Sequence, residues 1–228
     1  PALAAEGLDT PTLTATAARL RRAAAAIDDY ADRVLASAIV DATGAVRLDA
    51  GLYAQEPEET RLRLLARILR AVGGADYTPR LDSLLPLAAL LVTGEGAVPA
   101  RTLAGVTIDR RKGQLRFQRE AGRMGLPEID VASGYAGVWD GRFRVAIGPA
   151  EAPLRLAPLG EAGRRAPAAC LPDGLPRAMA ATPALFRGDT LLAAPPLGRN
   201  AAPEHGITAV IEAIVADRLA ERTNTQAS

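Results

Sequence analysis

The sequence predicts an α+β protein, an N-terminal all-helical unit followed by a small mixed α+β unit with antiparallel strands. Three observations carry this. Residues 10–92 repeat their apolar side chains at helical spacing, with a Pro-containing capping signal before each helix. A Gly- and Pro-bearing stretch, 94–99, then interrupts the pattern. Beyond it the period shortens to that of strands, punctuated by Gly turns. The predicted units are residues 1–94 and 100–228.

Thr10 and Pro11 read as the N-cap and first position of a helix. Leu13, Ala17, Leu20, Ala24, Ile27, Ala31, Val34, Leu35 and Ile39 extend it to about residue 40, with Arg19, Arg22, Asp29 and Asp32 opposite. Residues 45–49 read as a short strand or extended connector. Glu56 and Pro57 open a second helix, whose stripe is Leu62, Leu65, Ile68, Leu69 and Val72 and whose stop is Gly73-Gly74. Thr78-Pro79 opens a third, in which Pro86 predicts a kink or break.

In the second unit, strands are expected over 101–103 and 106–110, a turn over 111–113 and a return strand over 114–119. Residues 120–137 read as loop. Strands follow over 142–147 and 153–159, then a polar loop over 163–169 and a short helix over 175–180. A hairpin around Arg187, Gly188 and Asp189 comes next. Residues 207–219 fit a helix and a strand, with the helix the better count.

Composition narrows the function. The formal net charge is +1, so no global nucleic-acid field exists. Residues 101–144 nevertheless carry 9 basic and 5 acidic groups, against 10 and 12 in residues 1–94. Every basic residue except Lys112 is arginine. Cys170 and His205 are single, which excludes an internal disulfide and argues against a Cys/His zinc site. No nucleophile, base and oxyanion donor assemble in sequence, and the pairs Asp28-Asp29 and Glu58-Glu59 point in diverging directions on helices. No apolar run reaches membrane-spanning length. A first residue of Pro rather than Met suggests a piece of something longer.

The strongest chemical candidate is the basic hairpin. Arg110, Arg111 and Lys112 cluster at its turn, with Arg116 and Arg119 on the return strand, a pattern suited to RNA phosphates. Arg63, Arg67 and Arg70 on the second helix are weaker candidates, spread over more than one face. Trp139, the single tryptophan, stands before an Asp140-Gly141 turn and reads as a core anchor, with base stacking as the alternative.

Several stretches taken together resemble the tRNA(Ile)-lysidine synthases of alphaproteobacteria. They are residues 1–8; 64–74 followed by Tyr77, Thr78 and Pro79; 102–105 and the strand pair to Arg119; 138–143; 157–160; and 183–186. The resemblance implies an ATP-dependent ligase that adenylates the wobble cytidine of an isoleucine tRNA and attaches lysine. It also implies that ATP with Mg, and lysine, bind an N-terminal pyrophosphatase-type domain bearing a Ser-Gly-Gly-x-Asp-Ser loop. That loop is absent here. The expectation is therefore a cytoplasmic, tRNA-holding portion with no catalytic residue, no cofactor and no metal of its own, inactive alone. Its expected partners are isoleucine tRNA and its own catalytic domain, with no membrane. A protein-interaction or self-association module, such as a homodimer, stands as the alternative.

Overall fold

The computed structural model describes residues 9–93, 98–121, 125–150, 153–161, 176–201 and 206–222. Cys170, His205, the loop 163–169 and the stretch 1–8 lie outside the described residues. The chain is α+β, with antiparallel pairing throughout.

Helix α1 spans Thr10–Leu35. Its N-cap is Asp9, not Thr10: the Asp9 carboxylate accepts from the Thr12 N–H at 2.8 Å. It ends five residues before the expected limit. Ile39–Val40 (β1) instead folds back on Val46–Asp49 (β2), around a loop that Asp41 ties by accepting from the backbone N–H groups of Thr43 and Ala45. A short helix α2 (Ala50–Gln55) leads into α3 (Glu58–Gly73), and Gly74 closes α3 in the left-handed conformation. Helix α4 (Leu81–Val92) runs unbroken through Pro86. Both Pro86 and Asp82, whose carbonyl loses a helical partner, are exposed, so water can replace the bond the proline removes.

Strands β3 (Val98–Leu103), β4 (Val106–Arg111) and β5 (Gln114–Arg119) form a meander, and β2 pairs with β5. The resulting sheet has the order β1-β2-β5-β4-β3. The first unit is thus not all-helical. Its two strands are short: β1 pairs with β2 nearby, and β2 gains its second partner, β5, from more than sixty positions away.

One apolar core joins the C-terminal part of α1, α2, α3, α4 and the inner face of this sheet, including Val46, Leu48, Val106, Ile108, Leu115 and Phe117. Val215 and Leu219 complete it. This core therefore crosses the 94–99 stretch.

A second core lies between two small sheets. One is β6 (Ile129–Val131), β9 (Leu154–Pro158), β10 (Pro183–Arg187) and β11 (Thr190–Ala193), in the order β11-β10-β9-β6. The other is β7 (Ala136–Trp139), β8 (Phe143–Ile147) and β12 (Ala209–Ala213), in the order β12-β8-β7. Phe143, Val145 and Ile147 alternate inward from β8 and meet Leu154, Leu156 and Leu185. Helix α5 (Pro176–Ala180) falls where the sequence predicts one.

Two expectations fail here. Residues 120–137 contain β6 and the start of β7, strands of three and four residues, too short to show a period. Residues 207–219 are two elements: β12 pairs with β8, and a separate helix, α6 (Val215–Ala220), follows. The mixed period arises because Ile211 faces one core while Val215 and Leu219, four apart on a helix, face the other.

Candidate nucleic-acid interface

The β4–β5 turn is a two-residue connection in which Lys112 (φ 49°) and Gly113 (φ 73°) both take positive φ, as a tight hairpin twisted with its strands requires. Its tip is anchored, since the Gly113 carbonyl accepts from the Ala50 N–H at 2.8 Å. Arg111 and Lys112 are exposed there and form no hydrogen bond or ion pair with other described residues. Arg110 is half-buried on the side of Leu115, its register partner.

The other basic candidates are engaged within the fold. Arg116 makes a two-pronged bond to Asp109 on β4, at 2.5 and 2.6 Å. Arg119 grips Asp140 at 3.0 and 3.1 Å and donates a third bond to the Gly105 carbonyl. Arg63 bridges Asp28 on α1 (2.6 Å) and Glu59 (2.9 Å). Burial works against its cation, but Asp28 and Glu59 outweigh it and hold its pKa above the usual value. Arg67 is buried, paired with Asp32 at 2.5 Å and bonded to the Leu219 carbonyl. Arg70, also buried, donates to the Glu221 carbonyl at 2.8 Å. These three α3 arginines tie α3 to α1, to α6 and to Glu221 just after it. Sequence spacing shows that they are cationic and roughly where they sit, but not that carboxylates and carbonyls from 35 to 152 positions away meet them.

Burial also opposes the Asp32 carboxylate, but Arg67 and Arg222 outweigh it and hold its pKa below the ordinary 3.8. A depressed carboxylate stabilises the fold above its unfolded value and loses that contribution as pH falls through its folded one. The tether joining α1, α3 and Arg222 is therefore expected to persist to pH 3.8 and to release only below it. Carboxyl NMR of Asp32 checks this; a midpoint at or above 3.8 would contradict it.

Trp139 is 1% exposed, and its indole N–H donates to the Pro127 carbonyl at 3.0 Å. Its ring lies 6.1 Å from Phe143, and the Arg142 guanidinium stands 5.9 Å from it and 4.9 Å from Phe143. No face of the indole is open to a base. Arg142 is fully buried, and sequence reading passed over it. It donates to Asp140 (2.7 Å) and to the carbonyl of Ala181 (2.8 Å). Burial pulls its pKa down to about 10 against the opposing pull of Asp140, so at neutral pH it remains a cation. Asp140 thus holds Arg119 from the first sheet and Arg142 from the second core.

The backbone is equally close at this junction. A Cβ on Gly74 would stand 1.9 Å from the Asp140 carbonyl oxygen, and one on Gly141 2.2 Å from that of Gly74. With φ of 71° and 61°, both positions require glycine twice over. The Trp139-Asp140-Gly141 turn is thus where the end of α3 meets the second core.

Comparison with known proteins decides the relationship. The chain is 30% identical over 197 residues to the tRNA(Ile)-lysidine synthase of Ruegeria pomeroyi, a match covering 86% of this chain and 45% of that protein. The chain is homologous to the tRNA(Ile)-lysidine synthases. The synthase of Caulobacter vibrioides is 38% identical over 111 residues, 48% of this chain and 25% of that protein. That of Rhizobium meliloti is 39% identical over 90 residues, 39% and 19% respectively. The chain spans less than half the length of these synthases. No protein-family model matches it, and no solved structure does. Among the described residues, no helix is long and apolar enough to cross a membrane.

Proposed function

We propose that this chain is the tRNA-holding portion of a tRNA(Ile)-lysidine synthase, acting in the cytoplasm beside a catalytic domain that binds ATP with Mg and lysine. The observation that carries this reading is the 197-residue similarity to a curated synthase. The absence of a Ser-Gly-Gly-x-Asp-Ser loop from the sequence supports it, because nothing else here offers a Gly-rich cradle for ATP phosphates. The residues present do not fit that nucleotide, and no chemical step belongs to them. Alone, the chain adenylates nothing.

What these residues supply is position. Arg111 and Lys112 stand at the tip of a hairpin braced against α2, and Arg110 sits beside them. Cations at a rigid turn contact RNA phosphates without reading bases. Arg116, Arg119, Arg63, Arg67 and Arg70 are each paired within the fold and serve by holding its elements in place.

The test is binding of isoleucine tRNA across a salt series. Wild-type affinity is expected to fall steeply with salt, and Arg111→Gln/Lys112→Gln to make the slope of log K against log salt shallower by about 1–2. Binding that ignores salt, or no binding at low salt, would remove the reading in favour of a protein-interaction module.

A further inference from the structure

Helix α1 reaches past the described residues it packs on. Its first buried residue is Ala31, and among the described residues its side-chain bonds to the rest of the fold begin at Asp28, which meets Arg63 on α3, and at Tyr30, which donates to Glu56, just after α2, at 3.2 Å. Residues 10–27 therefore project as a rod of about 27 Å. Leu13 and Leu20 are 50% and 65% exposed on it.

The rod carries Arg19, Arg21 and Arg22 within four residues, and no carboxylate between Asp9 and Asp28. All three arginines are exposed and make no ion pair or hydrogen bond with other described residues. They contrast with Arg63, Arg67, Arg116 and Arg119, each held by a carboxylate. Asp28 and Asp29, at the base of the rod, are paired with Arg63 and Arg222, so neither is left to offset its charge.

At 100° per residue the three guanidiniums spread over about 160° of the helix circumference. A flat acidic protein surface could meet only part of that arc. Phosphates on the two sides of a nucleic-acid groove could meet all of it. A second copy of the chain fits poorly: antiparallel pairing about Leu20 would set Arg19 of each copy against Arg21 of the other, like charge on like charge.

We propose that the projecting half of α1 is an RNA-contacting arm, with Arg19, Arg21 and Arg22 binding the phosphate backbone of the tRNA. The proposal rests on the tRNA-holding reading above and adds a second contact, on a different element from the hairpin.

The experiment compares three forms of the whole chain in salt titrations of isoleucine tRNA binding: wild type, Arg111→Gln/Lys112→Gln, and Arg19→Gln/Arg21→Gln/Arg22→Gln. Glutamine keeps helix propensity close to that of arginine, and circular dichroism confirms that the arm stays helical. The α1 triple variant is expected to flatten the salt slope by about 2–3, one phosphate per arginine. If wild type binds and the hairpin variant flattens the slope while the α1 variant matches wild type, the arm proposal falls and the tRNA-holding reading stands. If wild type binds no tRNA at low salt, both fall. A wild-type chain that sediments as a dimer losing its association in Leu13→Ser/Leu20→Ser, with tRNA binding unchanged in the α1 triple variant, would reassign the arm to self-association.

Discussion

Replacing Asp140 with alanine is expected to cost about 3–5 kcal/mol of folding stability, the loss typical of breaking a buried ion pair from one side. The carboxylate serves two guanidiniums, one of them fully buried. Without it, Arg119 and Arg142 stand close together with no counter-charge, and Arg142 keeps only carbonyl partners. Asp140→Asn separates charge from backbone effects, because asparagine tolerates the positive φ of this position (49°) where alanine does so poorly. Asparagine is therefore expected to recover the conformational part of the loss and not the electrostatic part. Urea denaturation of the three proteins checks this; an alanine variant within about 1 kcal/mol of wild type would show that the triad contributes little.

Trp139→Ala is expected to cost about 3–5 kcal/mol, the cost of emptying a buried aromatic site. It deletes the ring packed beside Phe143 and Arg142 and leaves the Pro127 carbonyl without its donor. Measured well below its lowered melting temperature, the folded variant should bind tRNA as wild type does. A variant of native stability with poor RNA binding would return the indole to the role of a stacking platform, contrary to its burial.

Where sequence periodicity was strong, it read the fold. The α3 stripe of Leu62, Leu65, Ile68, Leu69 and Val72 is buried throughout, on a helix whose second half is enclosed on every side. The hairpin at Lys112-Gly113 was readable because positive φ leaves few residue choices. Reading failed where strand pairing overrides the local pattern. Ile39 and Val40 continue a helical pattern, yet strand pairing with Arg47 and Val46 claims them. Residues 207–219 mix two periods because they serve two cores.

The candidate interface was readable only as charge. Sequence placed Arg110, Arg111, Lys112, Arg116 and Arg119 on one hairpin, but only the fold sets Asp109 opposite Arg116 and Asp140 beside Arg119. The carboxylate that engages an arginine is a fact of tertiary structure. It divides these cations into those bound within the protein and those still exposed to solvent.

Val215 and Leu219 fill the first core from the far end of the chain, more than a hundred positions after most of its other members. During synthesis, helices α1 to α4 and their sheet must wait for these two side chains while the whole second core is being made. Arg67 and Arg70 wait as well, since the carbonyls they bond belong to Leu219 and Glu221. The N-terminal half of this chain is thus finished last, and a ribosome stalled before residue 215 would hold an amphipathic assembly with its seam still open.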